Sequence, residues 1–360
     1  MELQTADLLY DARSDVLAPG MPGPHRSAAM PVASSWAAKL ARLLPCAAVA
    51  MVLGLAPSAQ AQQATWPDKP IRLIIPFAPG GGSDVAGRIA AQCMSGPLGQ
   101  TVVVDNRAGA GGTIGTEAVV RSSADGYTLA LLTNSSAVLN VFLYKKLPFD
   151  IRRDLVAVGE IGRSPAVLAV RKGLANNFEE LRAAARRNEL TYGSGGNGTA
   201  PHLAGTLLAR ALGVEMTHVP FRGSGPALTA LISNQVDMIL ESPSVLLGQI
   251  QDGSARALLV AAAEREPLLP EVPTAREVGL PNFTIDNWYG VFAPAGTPAP
   301  IVATVAKALQ TGLQQPACSA RLRDLGIRPG STSADQFNVY WKTELDRWGP
   351  IVASSGASLD

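Results

Sequence analysis

The sequence predicts an α/β fold that is divided into two lobes. Short runs of β-branched residues alternate with amphipathic helical stretches from Ile71 onward, a pattern typical of α/β layers with largely parallel strands. The chain has 360 residues, and a domain typically holds roughly 100 to 200 of them. We therefore expect two hydrophobic cores rather than one.

The strands are predicted from runs of Ile, Val, Leu and Thr that end at glycine, proline or polar residues. They are Ile71–Phe77, Val102–Asp105, Thr128–Leu132, Ala166–Val170, Glu215–Val219, Val236–Leu240 and Ala257–Ala261. The helices are predicted from apolar residues at helical spacing and from capping residues. They are Asp84–Met94, Phe178–Arg187, Ala200–Leu212, Pro226–Ile232 and Ala299–Leu313.

The chain is expected to pass between the lobes twice. The first lobe is predicted to comprise residues 62–165 and 290–360, and the second lobe residues 166–289. Two crossings of this kind would form a hinge.

Residues 1–61 are predicted to be an over-extended start followed by a secretory signal peptide. The apolar run Leu43–Ala56 is shorter than the roughly 20 residues that a transmembrane helix needs. Small residues follow at Ala59 and Ala61, as at a signal-peptidase site. Cleavage after Ala61 would export the mature chain to the periplasm, and Met30 would open a leader of ordinary length.

The composition excludes several classes of protein. Lys and Arg number 30 against 29 Asp and Glu, and such a balance gives no basis for binding nucleic acid. Cys46, Cys93 and Cys318 have no CxxC or Cys/His ligand spacing, so no metal site is predicted. Cys46 lies in the leader, and the sequence does not show whether the other two pair.

Glycine-rich loops follow strands at several points and lead into helices. They are Pro76–Asp84, Asp105–Thr113, Tyr192–Thr199 and Pro220–Gly225. A single loop of this kind is explained by the needs of a tight turn. Because backbone N–H groups at a helix N-terminus bind anions and glycine allows close approach, the loops together predict a site for an anion such as a carboxylate.

A dinucleotide site is disfavoured, although Gly193, Gly195 and Gly198 match the spacing of the dinucleotide fingerprint. The fingerprint needs an acidic residue at the end of the next strand, whereas Glu215 begins its predicted strand. An exported protein also has no obvious nicotinamide supply. No cofactor is expected.

Catalytic residues are few. His202 and His218 are the histidines of the predicted mature chain, and no convincing Gly-x-Ser-x-Gly elbow follows a strand. A hydrolase that uses Ser83 or Ser194 with His202 remains an alternative. His218, inside a predicted strand, is expected to be structural.

Other residues near the loops each have two interpretations. Asp84 would cap its helix or contact a ligand. Arg107 and Arg222 would bind a ligand carboxylate or form ion pairs. Trp288 and Tyr289 would line a cleft or pack at a hinge. The sequence does not decide between these roles.

A set of motifs extends along the whole predicted mature chain. The motifs are Trp66–Arg72, Pro76–Asp84, Val103–Gly112, Tyr192–Ser194, His218–Ala227, Gln235–Met238 and Ala293–Pro298. In these motifs the chain resembles the periplasmic substrate-binding receptors of tripartite tricarboxylate transporters, known in Bordetella as Bug receptors. The resemblance covers about residues 66–352.

The resemblance implies a two-lobed periplasmic-binding-protein fold of type II, with the ligand cleft between the lobes. It implies a receptor without catalysis that holds a small carboxylate through backbone amides, hydroxyl groups and ordered waters. By position, the first-lobe contacts are Ala78, Gly81, Gly82, Ser83, Asp84, Thr133, Asn134 and Ser135. The second-lobe contacts are Ser194, Gly195, Asn197, Thr199 and His202, with Glu241 near the cleft.

The functional hypothesis is an exported receptor that delivers a small organic anion to integral membrane transporter subunits. We expect a monomer. The alternatives are a secreted hydrolase or isomerase on the same fold and a ligand-sensing receptor for a membrane signalling partner. The sequence leaves the ligand open among dicarboxylates, tricarboxylates, acidic amino acids, aromatic acids and uncharged molecules.

Overall fold

The computed structural model describes residues 66–355 and 358–359. The predicted leader and its cleavage site lie outside these residues. The strands are β1 (Ile71–Ile75), β2 (Val102–Asn106), β3 (Thr128–Thr133), β4 (Leu155–Pro165), β5 (Val167–Arg171), β6 (Leu190–Ser194), β7 (Met216–Pro220), β8 (Met238–Glu241), β9 (Ala255–Val260), β10 (Asp286–Pro294) and β11 (Arg328–Pro329).

The α-helices are α1 (Gly82–Leu98), α2 (Thr113–Val120), α3 (Asn140–Leu143), α4 (Ile151–Asp154), α5 (Phe178–Arg187), α6 (Ala200–Leu212), α7 (Ser224–Ile232), α8 (Pro243–Gln251), α9 (Ala299–Gln314), α10 (Pro316–Arg323) and α11 (Ala334–Ser355). A 3₁₀ turn covers Ala110–Gly112, and a π-helical turn covers Ser135–Leu139. Within the described ranges, no helix is both long and apolar enough to span a bilayer.

Two sheets form the frameworks of the two lobes. The first has the strand order β11-β4-β10-β3-β1-β2, and the second has the order β7-β6-β8-β5-β9. Helices cover both faces of each sheet. In β1, Leu73 packs into the cluster that includes α1 and α9, whereas Ile74 packs into the cluster that includes α11. Burial on both faces explains the continuous apolar strands of the sequence.

The strand directions correct one expectation. Among the described residues, four strand pairs are parallel and five are antiparallel, so the expectation of largely parallel strands is wrong. The antiparallel pairs involve β4, β5 and β10. These are the strands that carry the chain between the sheets, and they run against their neighbours.

The two crossings lie side by side. The chain leaves the first sheet after Pro165 and returns at Asp286, and these residues are partners in the β4–β10 ladder. The Ala166 N–H donates to the Ile285 carbonyl at 2.9 Å, which joins the crossings themselves. Because β10 begins four residues before the expected boundary at Gly290, Trp288 and Tyr289 belong to the first sheet.

A disulfide joins Cys93 of α1 to Cys318 of α10. The Cα atoms of the two residues are 6.2 Å apart, within the usual range for such a bond. The sequence left this pairing open, because the two residues are 225 positions apart. The bond ties the returning C-terminal part of the chain to the first helix.

Candidate ligand-binding site

A cavity lies between the two sheets where loops from both lobes meet. Its volume is about 40 Å³. Its lining residues are Phe77, Gly81, Gly82, Ser83, Thr133, Asn134, Ser135, Gly195, Thr199, Pro201, Ser224, Glu241, Asn287 and Tyr289. Both lobes therefore contribute to one site.

The structure brings nine of the predicted site residues together in this cavity. They are Gly81, Gly82, Ser83, Thr133, Asn134, Ser135, Gly195, Thr199 and Glu241. Ala78 and Asn197 line an adjoining cavity of about 460 Å³ instead. Asp84, Ser194 and His202 line neither of these two cavities.

The lobes touch closely around the cavity. The Ala200 N–H in the second lobe donates to Ser135 Oγ in the first lobe at 2.8 Å. A Cβ on Gly223 would lie 3.0 Å from the Ala78 Cβ, and its φ of +122° suits glycine. A Cβ on Gly81 would lie 3.4 Å from the Ser224 Cβ. The glycine loops thus allow the lobes to meet backbone to backbone.

Three helices begin at the cavity. α1 begins after Gly81, α6 begins after Thr199 and α7 begins after Gly223. The first N–H groups of a helix have no partner within the helix, and the helix dipole makes this end positive. In α6 these donors are already used, because the Ala200 N–H bonds Ser135 Oγ, Pro201 has no N–H and the His202 N–H bonds Thr199 Oγ1. The starts of α1 and α7 therefore supply the N–H groups for a ligand. The arrangement can therefore hold an anion without a charged side chain.

Two buried polar atoms in the cavity have no hydrogen-bond partner among the described residues. They are Thr133 Oγ1 and Glu241 Oε1. An unpaired buried polar group costs about 1–3 kcal/mol. Both atoms therefore favour a polar occupant that would supply the missing hydrogen bonds.

Glu241 is the acidic residue of the cavity lining, and the lining contains no Lys, Arg or His. Its residue is 4% exposed. Burial raises the pKa of Glu241 to about 7, against the lowering effect of hydrogen bonds from Ser224 and the Ser242 backbone. The cavity therefore contains a carboxyl that gains or loses its proton near neutral pH.

Asp84 is hydrogen-bonded to the first glycine loop and lies outside the cavity lining. Its carboxylate accepts hydrogen bonds from the Gly80 N–H at 3.0 Å, Arg88 Nε at 3.0 Å and Asn106 Nδ2 at 2.9 Å. Burial acts to raise the pKa of Asp84, but these hydrogen bonds lower it overall. Asp84 is therefore placed to hold the loop that precedes α1.

The two arginines near the loops also lie outside the cavity lining. Arg107 Nε donates to Asp105 Oδ2 at 2.9 Å, which is the ion-pair interpretation. Arg222 lines the adjoining cavity. Neither arginine is in position to neutralise a ligand in the interlobe cavity.

Ser194, His202 and His218 form one packed group under the loop Gly195–Thr199. Ser194 Oγ lies 2.6 Å from His218 Nε2, and the rings of His202 and His218 stack with centroids 4.0 Å apart. The Gly198 N–H donates to His202 Nδ1 at 3.3 Å. Ser194 is 0% exposed, so this serine–histidine pair supports the loop and offers no accessible nucleophile.

Both histidines are expected to make the fold sensitive to mild acid. Burial lowers the pKa of His202, and burial together with His202 lowers that of His218 to about 3. Between pH 6.5 and 3 the unfolded chain binds protons that the folded chain excludes, so the unfolding free energy falls as pH falls through this window. We expect His218 to contribute a loss of roughly 1 kcal/mol between pH 7.5 and 5.5, and His202 a further loss of the same sign.

Urea denaturation at these two pH values measures the effect. The double variant His202→Gln, His218→Gln should show a smaller pH dependence than the wild type. An equal dependence in both proteins would mean that other groups are responsible.

Five cavity residues were not predicted as ligand contacts. They are Phe77, Pro201, Ser224, Asn287 and Tyr289. Ser224 belongs to a glycine loop that the sequence singled out, and Tyr289 had two open interpretations. The structure separates Tyr289, which lines the cavity, from Trp288, which is 0% exposed and packs against Phe337 in the core. Nothing in the sequence pattern indicated Asn287.

Comparison with known proteins agrees with this geometry. The family described as tripartite tricarboxylate transporter family receptor matches residues 86–357. The protein BugT of Bordetella pertussis is 37% identical over 300 residues, which are 82% of this chain and 92% of BugT.

Two solved structures of Rhodopseudomonas palustris proteins are also similar. One, solved with adipate, has a TM-score of 0.79 and 32% identity, and the match covers 82% of this chain and all (100%) of that one. The other, MatC with bound malate, has a TM-score of 0.77 and 33% identity, with 80% and 100% covered. The two-lobed fold is the fold of these periplasmic binding proteins. The chain belongs to the receptor family of the tripartite tricarboxylate transporters.

Proposed function

We propose that the protein is an exported, monomeric receptor that binds a small carboxylate in the interlobe cavity and delivers it to integral membrane transporter subunits. The observation that carries the proposal is the interlobe cavity at which α1 and α7 begin. Helix N-termini favour anions. The unpaired hydroxyl of Thr133 adds a further polar contact for a ligand.

The ligands of two similar structures support a carboxylate. One neighbour was solved with adipate and another with malate, and both are small dicarboxylates. We propose that the lobes close on the ligand about the paired crossings at Pro165 and Asp286, because contacts from both lobes are complete only in the closed form.

Export is proposed from the leader and supported by the disulfide. Cleavage after Ala61 would leave a mature chain that starts at Gln62. A disulfide between Cys93 and Cys318 suits an oxidising compartment such as the periplasm.

Catalysis is the weaker alternative. The hydrolase hypothesis requires Ser83 or Ser194 beside His202, whereas Ser194 is hydrogen-bonded to His218 and buried. Ser83 lines the cavity and His202 does not. The geometry therefore favours binding without turnover.

A thermal-shift screen of small carboxylates on the mature chain tests the proposal. A ligand at 100 times its Kd adds about 2.7 kcal/mol of apparent stability, which corresponds to a rise in Tm of roughly 4 °C for a chain of this size. The matched control is the uncharged diamide of each acid. Stabilisation by the diamide alone, or by no carboxylate, would contradict the proposal.

Delivery to a transporter is tested separately. Deletion of the gene from its host should abolish high-affinity uptake of the carboxylate that the screen identifies. Normal uptake in the deletion strain would leave a binding protein with another role, such as sensing.

A further inference from the structure

We propose that Glu241 sets the charge state in which the cavity accepts its anion: the Glu241 carboxyl is protonated in the liganded site and donates its O–H to the ligand carboxylate. This inference rests on the proposed function, because it concerns the same cavity and the same class of ligand. An ionised Glu241 would take up one proton from solvent for each anion bound.

The placement of Glu241 points to a direct interaction with the ligand. It is the last residue of β8 and faces the cavity, where its Oε1 atom is buried without a hydrogen-bond partner among the described residues. The carboxyl is hydrogen-bonded to Ser224 and to the Ser242 backbone N–H. One buried oxygen of this carboxyl therefore still lacks a hydrogen-bond partner, which a ligand that closes on Glu241 would supply.

The anion-binding helix ends lie close to this carboxyl. Ser224 is the first residue of α7, and its Cβ lies 3.4 Å from the position of a Cβ on Gly81, the residue before α1. The same Ser224 contacts Glu241. Only the Ser224 side chain would therefore lie between the Glu241 carboxyl and a ligand carboxylate at the start of α1.

No basic side chain of the cavity lining would neutralise either of two carboxylates bound there. The cavity lining contains no Lys, Arg or His. The titratable group that faces Glu241 from β10 is Tyr289, and burial raises the pKa of Tyr289 to about 12, so it is neutral. Two ionised carboxyl groups that share a buried site repel each other strongly, and one of them retains a proton.

The resulting pH dependence has a definite sign. Before ligand binding, Glu241 loses its proton at a pKa of about 7, and binding raises this pKa. Affinity should therefore be constant well below pH 7. It should fall by about tenfold per pH unit above pH 7.5, because the ionised carboxyl must first take up a proton.

Isothermal titration calorimetry with malate and adipate on the mature protein tests the inference. Both probes are fully ionised above pH 7, since carboxyl groups of this kind have pKa values of about 4 to 5. Comparing phosphate and Tris buffers, which differ in ionisation enthalpy, counts the protons. We expect uptake of about 0.9 proton per site at pH 8 and about 0.5 at pH 7.

Two variants sharpen the result. Glu241→Gln supplies an N–H donor without a titrating proton, so its affinity should lose the pH dependence and exceed that of the wild type by about tenfold at pH 8. Glu266→Gln is the matched control, because burial also raises the pKa of Glu266 although this residue lies outside the cavity lining. It should keep the wild-type pH dependence.

The outcomes separate this inference from the proposed function. Binding of malate or adipate without proton uptake, together with weaker binding by Glu241→Gln, would show that an ionised Glu241 accepts a hydrogen bond, and would overturn the inference alone. If malate, adipate and every other carboxylate in the screen fail to bind, the inference and the proposed function are both overturned. The wild-type proton count needs no variant, so it decides the question even if Glu241→Gln does not fold.

Discussion

Gly81→Val is expected to lower the affinity for a small carboxylate by at least about 100-fold, or about 2.7 kcal/mol. Gly81 precedes α1 with φ −88° and ψ 169°, a conformation that valine adopts without strain. The new side chain would enter the cavity and meet Ser224 of the other lobe, since a Cβ here already lies 3.4 Å from the Ser224 Cβ. It would therefore block both the ligand and the approach of the lobes.

Calorimetry measures the affinity, and a thermal melt checks the fold. The loss of glycine before α1 should cost about 1 kcal/mol or less of stability. Gly248→Val is the matched control, because Gly248 lies in α8 with nothing within 4 Å of its Cβ position. Unchanged affinity in Gly81→Val would remove this loop from the binding site.

Removal of the disulfide is expected to have the largest effect on stability. The bond closes a loop of 225 positions between Cys93 and Cys318. Its loss in the double variant Cys93→Ala, Cys318→Ala should lower the unfolding free energy by about 3–5 kcal/mol, because the unfolded chain regains conformational freedom. Urea denaturation measures this loss as a lower midpoint.

Ligand affinity should change little in the same variant. Cys93 lies eleven residues beyond the start of α1 at Gly82, which is about 16 Å along the helix, so the bond is remote from the cavity. Reduction of the wild-type protein with a thiol reagent is the control and should reproduce the loss of stability. Equal stability of the oxidised wild type and the variant would mean that the two cysteines are unpaired in solution.

Much of the fold could be predicted because local signals agree with it. The bounds of Phe178–Arg187 and Ala200–Leu212 are confirmed. In the first, Asn177 accepts a hydrogen bond from the Glu180 N–H, and in the second, Gly213 ends the helix with φ +66°. Such signals lie within a few residues of each other and need no knowledge of the rest of the chain.

The strands β4 and β10 were missed for a physical reason. β4 contains Gly159, Glu160 and Gly162, and β10 contains Asp286 and ends at Pro294, so neither shows a regular apolar pattern. Their long ladder has register shifts in β10. Pairing between strands more than a hundred residues apart, rather than local sequence, holds them in the sheet, and no single-sequence pattern reports such pairing.

The site was only partly accessible to sequence reasoning. Glycine loops can be recognised from the sequence because turns and helix starts need glycine. They led to the correct prediction of Gly81 and Gly195 as cavity residues and singled out the loop that contains Ser224. Asn287 enters the cavity only because β10 joins the first sheet. His218 was assigned a structural role, but its stacking on His202 depends on how α6 packs on the second sheet and could not be predicted.

The pairing of the two interlobe crossings restricts the geometry of any relative movement. Pro165 and Asp286 are ladder partners, and the Ala166 N–H bonds the Ile285 carbonyl, so neither connection can swing or lengthen without the other. A pair of tethered strands bends and twists far more easily than it shears. The lobe closure that we propose would therefore be mainly a rotation about this pair of strands, and ligands of different length would stop it at different angles. A membrane protein that contacts both lobes would thus detect the angle between them.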